Sequence, residues 1–178
     1  MKTIIIILIS VVAFAAPAAL TNAPTLIVLN DQFDAPQTLQ FPTTNITVLT
    51  IADKKGSDQI AGWVAPLKKK YAERIDIRGI ADVSTVPKVL RGTVRKAFRN
   101  QQSYPVMMDW SGDTVKIFEY LPERANLFLL DRDGRILKHA AGEVGEAKLK
   151  KFSDAIDSAL AVPTTVTTNG AAAKQRTP

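Results

Sequence analysis

Few residues in this chain could do chemistry, and their types narrow the options at once. The sequence contains no cysteine, which removes disulfides, thiolate nucleophiles and thiolate metal sites. The sole histidine, His139, stands beside Lys138 on an expected strand with no evident partner, and it reads as a surface or hairpin residue before a catalytic one. A serine triad needs a histidine near a nucleophile on a sharp turn, and no G-x-S-x-G occurs. Asp131 and Asp133 suggest calcium until the residues after them are read: Arg135, Ile136 and Lys138 stand where an EF-hand needs further acids. What remains is the cluster Asp53, Lys54, Lys55 and Asp58 between an apolar run and a helical pattern. Backbone N–H groups there could hold an anion, and Asp58 with Lys55 as its charge partner could serve as a non-thiol catalytic group. The plainer reading of such a loop is a solvated one.

The elements around that cluster are legible. Ile46–Ala52 is rich in Ile, Val and Thr, as a strand buried on both faces should be. Asp53–Gly56 reads as a loop, with Ser57 or Asp58 capping the helix that follows. Ile60, Trp63, Val64, Leu67 and Tyr71 then share one helical face. Pro66 lies inside this helix, where it removes an N–H and crowds the preceding turn, so a kinked helix is expected.

At these residues a resemblance enters. Thioredoxin-like proteins carry a strand, a loop holding Cys-x-x-Cys, and a helix whose proline lies five residues after the second cysteine. Counting back from Pro66 puts the second cysteine position at Ala61 and the first at Asp58. The run GWVAPL is similar to the family's post-cysteine run. The chain resembles a thioredoxin-like domain with its thiols removed.

The remaining elements fit that arrangement. Thr25–Asn30 and Thr38–Phe41 are expected strands of an N-terminal hairpin, punctuated by Ala35-Pro36. Ile75–Val83 is a strand forming a parallel unit with the first. A helix over Lys88–Gln101 follows, with Pro87 at its start and Leu90, Val94 and Phe98 on one face. Beside that face runs a basic stripe, Lys88, Arg91, Arg95 and Arg99. Its plainer reading is a solvated face; its sharper reading is a docking surface for an acidic partner or anionic headgroups. Tyr104–Trp110 is a further strand. Thr114–Tyr120 alternates like a strand but also fits a short helix capped by Asp113, and the resemblance favours the helix. Ala125–Leu130, the turn Asp131-Arg132-Asp133-Gly134 and Arg135–His139 form a hairpin. A final helix carries Leu149, Phe152, Ile156 and Leu160.

The resemblance therefore implies an α/β, thioredoxin-like fold over 25–161: a central mixed β-sheet flanked by helices, of the redoxin or TlpA type, with an N-terminal β-hairpin addition. A narrower likeness is to the exported YtfJ-type proteins, which share an apolar strand ending in Ile-Ala, a Tyr-Pro strand and an Asp-x-Asp-Gly-Arg hairpin. Thiol exchange and peroxide reduction need a thiolate, and Asp58 cannot replace one. The family's cis-proline position aligns with Ala125, where a cis bond would cost about 3 kcal/mol and a trans bond is expected. No catalytic residue, cofactor or metal is expected. Binding would fall on the degenerate site, Lys55, Asp58, Ala61, Trp63 and Ala125, and an open apolar patch around Trp63 and Ala125 would mark it.

The termini and the charge complete the reading. Lys2, the apolar run from Ile4 and the small residues of Ala13–Ala18 have the parts of a secretory signal over 1–18, cleaved between Ala15 and Ala18 or just beyond. The apolar part is short for a membrane span of about twenty residues. A periplasmic or secreted domain is expected, with no membrane insertion after cleavage and an envelope protein or peptide as partner. Residues 162–178 lack periodicity and read as a disordered tail. The net charge of +6 is spread along the chain, which argues against the dense basic surface that nucleic-acid binding requires.

Overall fold

Period-two alternation sets the entry to the fold. The computed structural model describes residues 22–162, so the proposed signal and the expected tail beyond Val162 lie outside the described residues. Strand β1 (Leu26–Asn30) pairs antiparallel with β2 (Pro36–Gln40) as a separate two-stranded sheet. Pro36 was expected only to punctuate; it opens β2 instead, a place where a missing N–H is tolerated. Ile27, Leu39 and Phe41 face inward and are buried.

Strand β3 (Ile46–Ala52) is buried at all seven positions. It passes directly into α1 (Lys54–Tyr71), then a short 3-10 turn, β4 (Ile75–Asp82), a second 3-10 turn over Lys88–Leu90, and α2 (Arg91–Gln101). β5 (Met107–Asp109) and α3 (Asp113–Ile117) follow, then the hairpin of β6 (Asn126–Leu130) and β7 (Ile136–Ala141), and finally α4 (Glu146–Ala161). The five-stranded sheet has the order β5-β4-β3-β6-β7. β3, β4 and β5 run parallel, while β6 is antiparallel to β3 and β7 to β6. This is the mixed sheet that the sequence led us to expect, with the segment after Gly112 helical.

Each face of the sheet has its own core. On one, Trp63, Leu67 and Tyr71 of α1 and Phe152 and Ile156 of α4 cover Ile46, Val48, Leu127 and Leu129. Trp63 and Phe152 meet edge to face at 5.8 Å, and Tyr71 Oη donates to the Ser153 carbonyl at 2.9 Å. On the other, the β1–β2 hairpin with Val115 and Phe118 covers Leu49, Ile51, Phe128 and Leu130. Full burial of such side chains stabilises by roughly 1.5–3 kcal/mol each, so α1 stays helical across Pro66 despite the lost bond.

Two expectations for the helices need correction. Leu90 does not share the buried face of α2: it is 49% exposed, because Lys88–Leu90 is 3-10, and its tighter winding turns Leu90 away from Val94 and Phe98. The basic stripe is not a plain solvated face either. Arg91 lies over the Trp110 ring at 4.9 Å and Arg95 at 5.4 Å. Arg95 also pairs with Asp34 at 3.0 Å, and Arg99 Nη1 donates to the Gln32 carbonyl at 2.9 Å. These three cations fasten α2 to Trp110 and to the hairpin turn, leaving Lys88 exposed in the 3-10 turn.

Candidate functional site

The carboxyl ends of β3, β4 and β5 lie at one edge of the sheet, together with the amino end of β6 and the 119–125 connection that leads into it. In open α/β sheets this is the edge where ligands bind. Each of the three parallel strands is closed by an aspartate, and each carboxylate is taken up by backbone N–H groups. Asp53 stands at the junction of β3 and α1: Oδ1 accepts from Gly56 N at 2.8 Å, and Oδ2 accepts from Glu123 N at 2.7 Å. Asp82 accepts from the Ser84 amide and hydroxyl and from Tyr120 Oη. Asp109, fully buried, accepts from Ser111, Gly112 and Val115 amides.

This edge corrects the expected helix start. Asp53 is the N-cap, not Ser57 or Asp58, because its extended backbone aims the carboxylate at the first-turn N–H groups. The expected Asp53–Gly56 loop is the first turn of the helix, and the strand-to-helix junction has shrunk to one residue. Asp58 and Ala61 therefore lie inside α1 rather than in a preceding loop. Both are exposed, and neither lines the cavity beside Phe118 and His139 or the one beside Thr50 and Tyr104. Lys55 does not pair with Asp58. It forms an ion pair with Glu123, which pushes its ammonium pKa up, and at this exposure solvent screens most of the attraction.

Trp63 and Ala125 are completely buried, so the open apolar patch expected around them does not form. Trp63 Nε1 donates to the Gly142 carbonyl at 2.8 Å, and a buried indole is stable only with such a partner. Ala125 N donates to Gln59 Oε1 at 3.1 Å. Among the described residues the one cis peptide bond is Phe41–Pro42, so Ala125 is trans, as expected. The connection packs directly on the first turn of α1: a Cβ on Gly56 would stand 2.3 Å from the Arg124 carbonyl oxygen.

Sequence reasoning missed the groups that hold the 119–125 connection. Burial pushes the Tyr120 phenol upward and its bond to Asp82 adds to this, so it stays protonated well above its ordinary range. For Asp82, burial acts upward, but the bonds from Tyr120 and Ser84 outweigh it and the carboxyl is shifted down. The pair is a fixed phenol–carboxylate bond at neutral pH, not an acid and base poised to exchange. Asn126, fully buried, accepts from Leu121 N and donates to the Leu121 and Arg124 carbonyls. His139 has a partner after all, with Nε2 at 3.0 Å from Asn126 Oδ1 and its ring stacked on Phe128 at 4.2 Å. A signal for the aspartates was present: Ile-Ala-Asp occurs at 51–53 and again at 80–82, and Met-Met-Asp at 107–109.

The described residues hold no group of three or more His, Cys, Asp or Glu placed to bind a metal. Asp131 Oδ1 accepts from Asp133 N and Arg135 N, so it shapes the hairpin turn. The connections leaving the carboxyl edge carry exposed apolar side chains instead: Val89 at 88%, Leu90, Ile117 and Leu121.

No protein-family model and no curated protein matches this sequence. Solved structures do match. A thiol:disulfide interchange protein of the thioredoxin family from Chlorobium tepidum TLS is 18% identical, with a TM-score of 0.56 over 82% of this chain and 99% of its own. The pneumococcal exposed lipoprotein thioredoxin Etrx1 from Streptococcus pneumoniae strain TIGR4 is 11% identical, with a TM-score of 0.58 over 72% of this chain and 98% of its own. The peroxidoxin BcpB from Mycobacterium tuberculosis is 19% identical, with a TM-score of 0.53 over 79% and 96%. The chain thus has the thioredoxin-like fold, its structural neighbours are redoxin-family members, and it contains no cysteine.

Proposed function

We propose that this chain is an exported thioredoxin-like domain of the cell envelope that binds a protein or peptide at the carboxyl edge of its sheet and performs no catalysis. One observation carries the reading. All three carboxylates at the strand ends are occupied by internal N–H and O–H donors, in a chain without cysteine. That leaves the strand ends with no free carboxylate, and the connections that rim this edge carry the exposed Val89, Leu90, Ile117 and Leu121. Exposed apolar side chains on a rigid frame suit a protein partner. Lys55 and Asp58 flank this rim; Ala61, on the next turn of α1, lies further from it.

Export rests on the signal-like residues 1–18 and accords with the neighbour described as an exposed lipoprotein. Within the redoxin type, the YtfJ-type proteins are the proposed kin, on the Ile-Ala, Tyr-Pro and Asp-x-Asp-Gly-Arg runs. No observation favours the Asp58/Lys55 enzyme, since Lys55 is paired with Glu123 and Asp58 faces solvent. Affinity capture from the envelope, comparing the wild type with a Val89→Asp/Leu121→Asp variant, tests the proposal. The expected result is a discrete partner lost from the variant, with no insulin reduction or peroxide consumption by either protein. Unchanged recovery from the folded variant, or turnover of either substrate, refutes it.

A further inference from the structure

A second surface is built at the other margin of the sheet. β7 is the last strand and bonds to β6 on one side only. Among the described residues its open side is engaged only at the ends: Asn22 bridges Arg135 just before the strand, and Lys148 Nζ reaches the Ala141 carbonyl at 3.3 Å. No strand among the described residues pairs the outward backbone groups of residues 136–140. A cavity of about 400 Å³ opens along this same stretch, walled by Leu137, Lys138 and His139 and, beyond α3, by Phe118 and Glu119.

Phe128 and the imidazole give the cavity a flat aromatic floor. The two rings are parallel within 1°, 4.2 Å apart, and Phe118 stands 5.2 Å from Phe128. Asn126 fixes the imidazole. Its amide nitrogen donates to two carbonyls, so the oxygen facing His139 is an acceptor, and it also takes the Leu121 N–H. His139 Nε2 must then carry the proton, which leaves Nδ1 of the neutral ring as a lone-pair acceptor. Nδ1 has no partner among the described residues. Burial lowers the His139 pKa, which favours that neutral ring. β7 itself contains no acid, while Lys138 lies within it and Arg135 just before it.

We propose that the open edge of β7 receives an extended, acidic segment of a partner protein as an added strand, with an aromatic side chain seated on the His139–Phe128 stack. Strand addition draws its affinity from main-chain bonds and its specificity from alternate side chains. The residue opposite His139 enters the cavity, where an indole N–H or phenol O–H can donate to Nδ1. Its neighbour points to the other face, where Lys138 meets an acid. A second copy of β7 fits less well, because antiparallel pairing about Lys138 opposes like charges. This surface is distinct from the carboxyl edge, and each can fail without the other.

The test titrates the purified protein with the capped peptide acetyl-Thr-Glu-Trp-Glu-Thr-amide, followed by amide NMR shifts. Saturable shifts confined to residues 136–140 and to Phe118 and Glu119 are expected. Replacing Trp by Ala in the peptide should weaken binding about tenfold, as loss of an aromatic anchor does. His139→Ala should weaken it similarly. Lys138→Glu should also weaken it and should be rescued by a peptide carrying Lys for Glu, an effect that misfolding would not produce. Shifts elsewhere, equal binding of the alanine peptide, or no rescue overturns the proposal. So does slow exchange of the outward β7 amides in the free protein, which would mean that a second copy or the chain's own segment already fills the edge.

Discussion

Asp53 joins two elements with one side chain, since its carboxylate takes an N–H from α1 and another from the 119–125 connection. Asp53→Ala should therefore destabilise the domain by about 2 kcal/mol, the upper end for a lost helix cap, measured by urea unfolding. Asp58→Ala, at the residue first expected to cap, should change stability by no more than about 0.5 kcal/mol, as exposed positions do. His139 supplies the pH dependence. Its folded pKa lies below the ordinary 6.5 because of burial, so the unfolded chain binds the extra proton first as pH falls. Its contribution is fully present above about pH 6.5 and is lost as pH drops from there through the folded value. An NMR titration of the ring should find that depressed pKa, and His139→Gln should flatten the stability profile in this window. These roles were half legible. The recurring Ile-Ala-Asp marks the strand ends, but Tyr120, which bonds Asp82, and Asn126, which bonds His139, lie 38 and 13 residues from them, and no local pattern points to either.

Elements were read more reliably than residues because their periodicity is local. β3 carries seven consecutive buried residues, and its expected bounds match those found; the apolar spacing of α1 and α4 placed both helices. The errors fell where tertiary contact decides. Asp58, first expected at a loop end, falls inside α1, since Pro66 says nothing about where that helix begins. Periodicity alone could not show that Trp110 and Asp34 would draw in the arginines of α2. Gly56 tests the packing of α1 against the connection to β6. Gly56→Ala puts a methyl group against the Arg124 backbone, which cannot swing aside as a side chain would. A loss of about 3 kcal/mol is expected by thermal or urea unfolding, the upper range for overpacking. Gly92→Ala, where an added Cβ meets nothing within 4 Å, should be neutral or slightly stabilising through helix propensity.

At the scale of the molecule, the thioredoxin-like fold stands without cysteine because two separate cores hold the sheet from both faces. Neither core needed a cysteine. The aspartates at the strand ends are committed to caps and turns, and Val89, Leu90, Ile117 and Leu121 are exposed on the connections that leave the sheet's carboxyl edge. The most direct test of that account is site-specific photo-crosslinking in cells that make the protein, with the photoreactive residue at Leu121 and, as a control, at Leu26 on the outer face of β1, which is similarly exposed. The account predicts one discrete protein adduct from position 121 and none from position 26. No adduct at 121, or the same adducts from both positions, would contradict it.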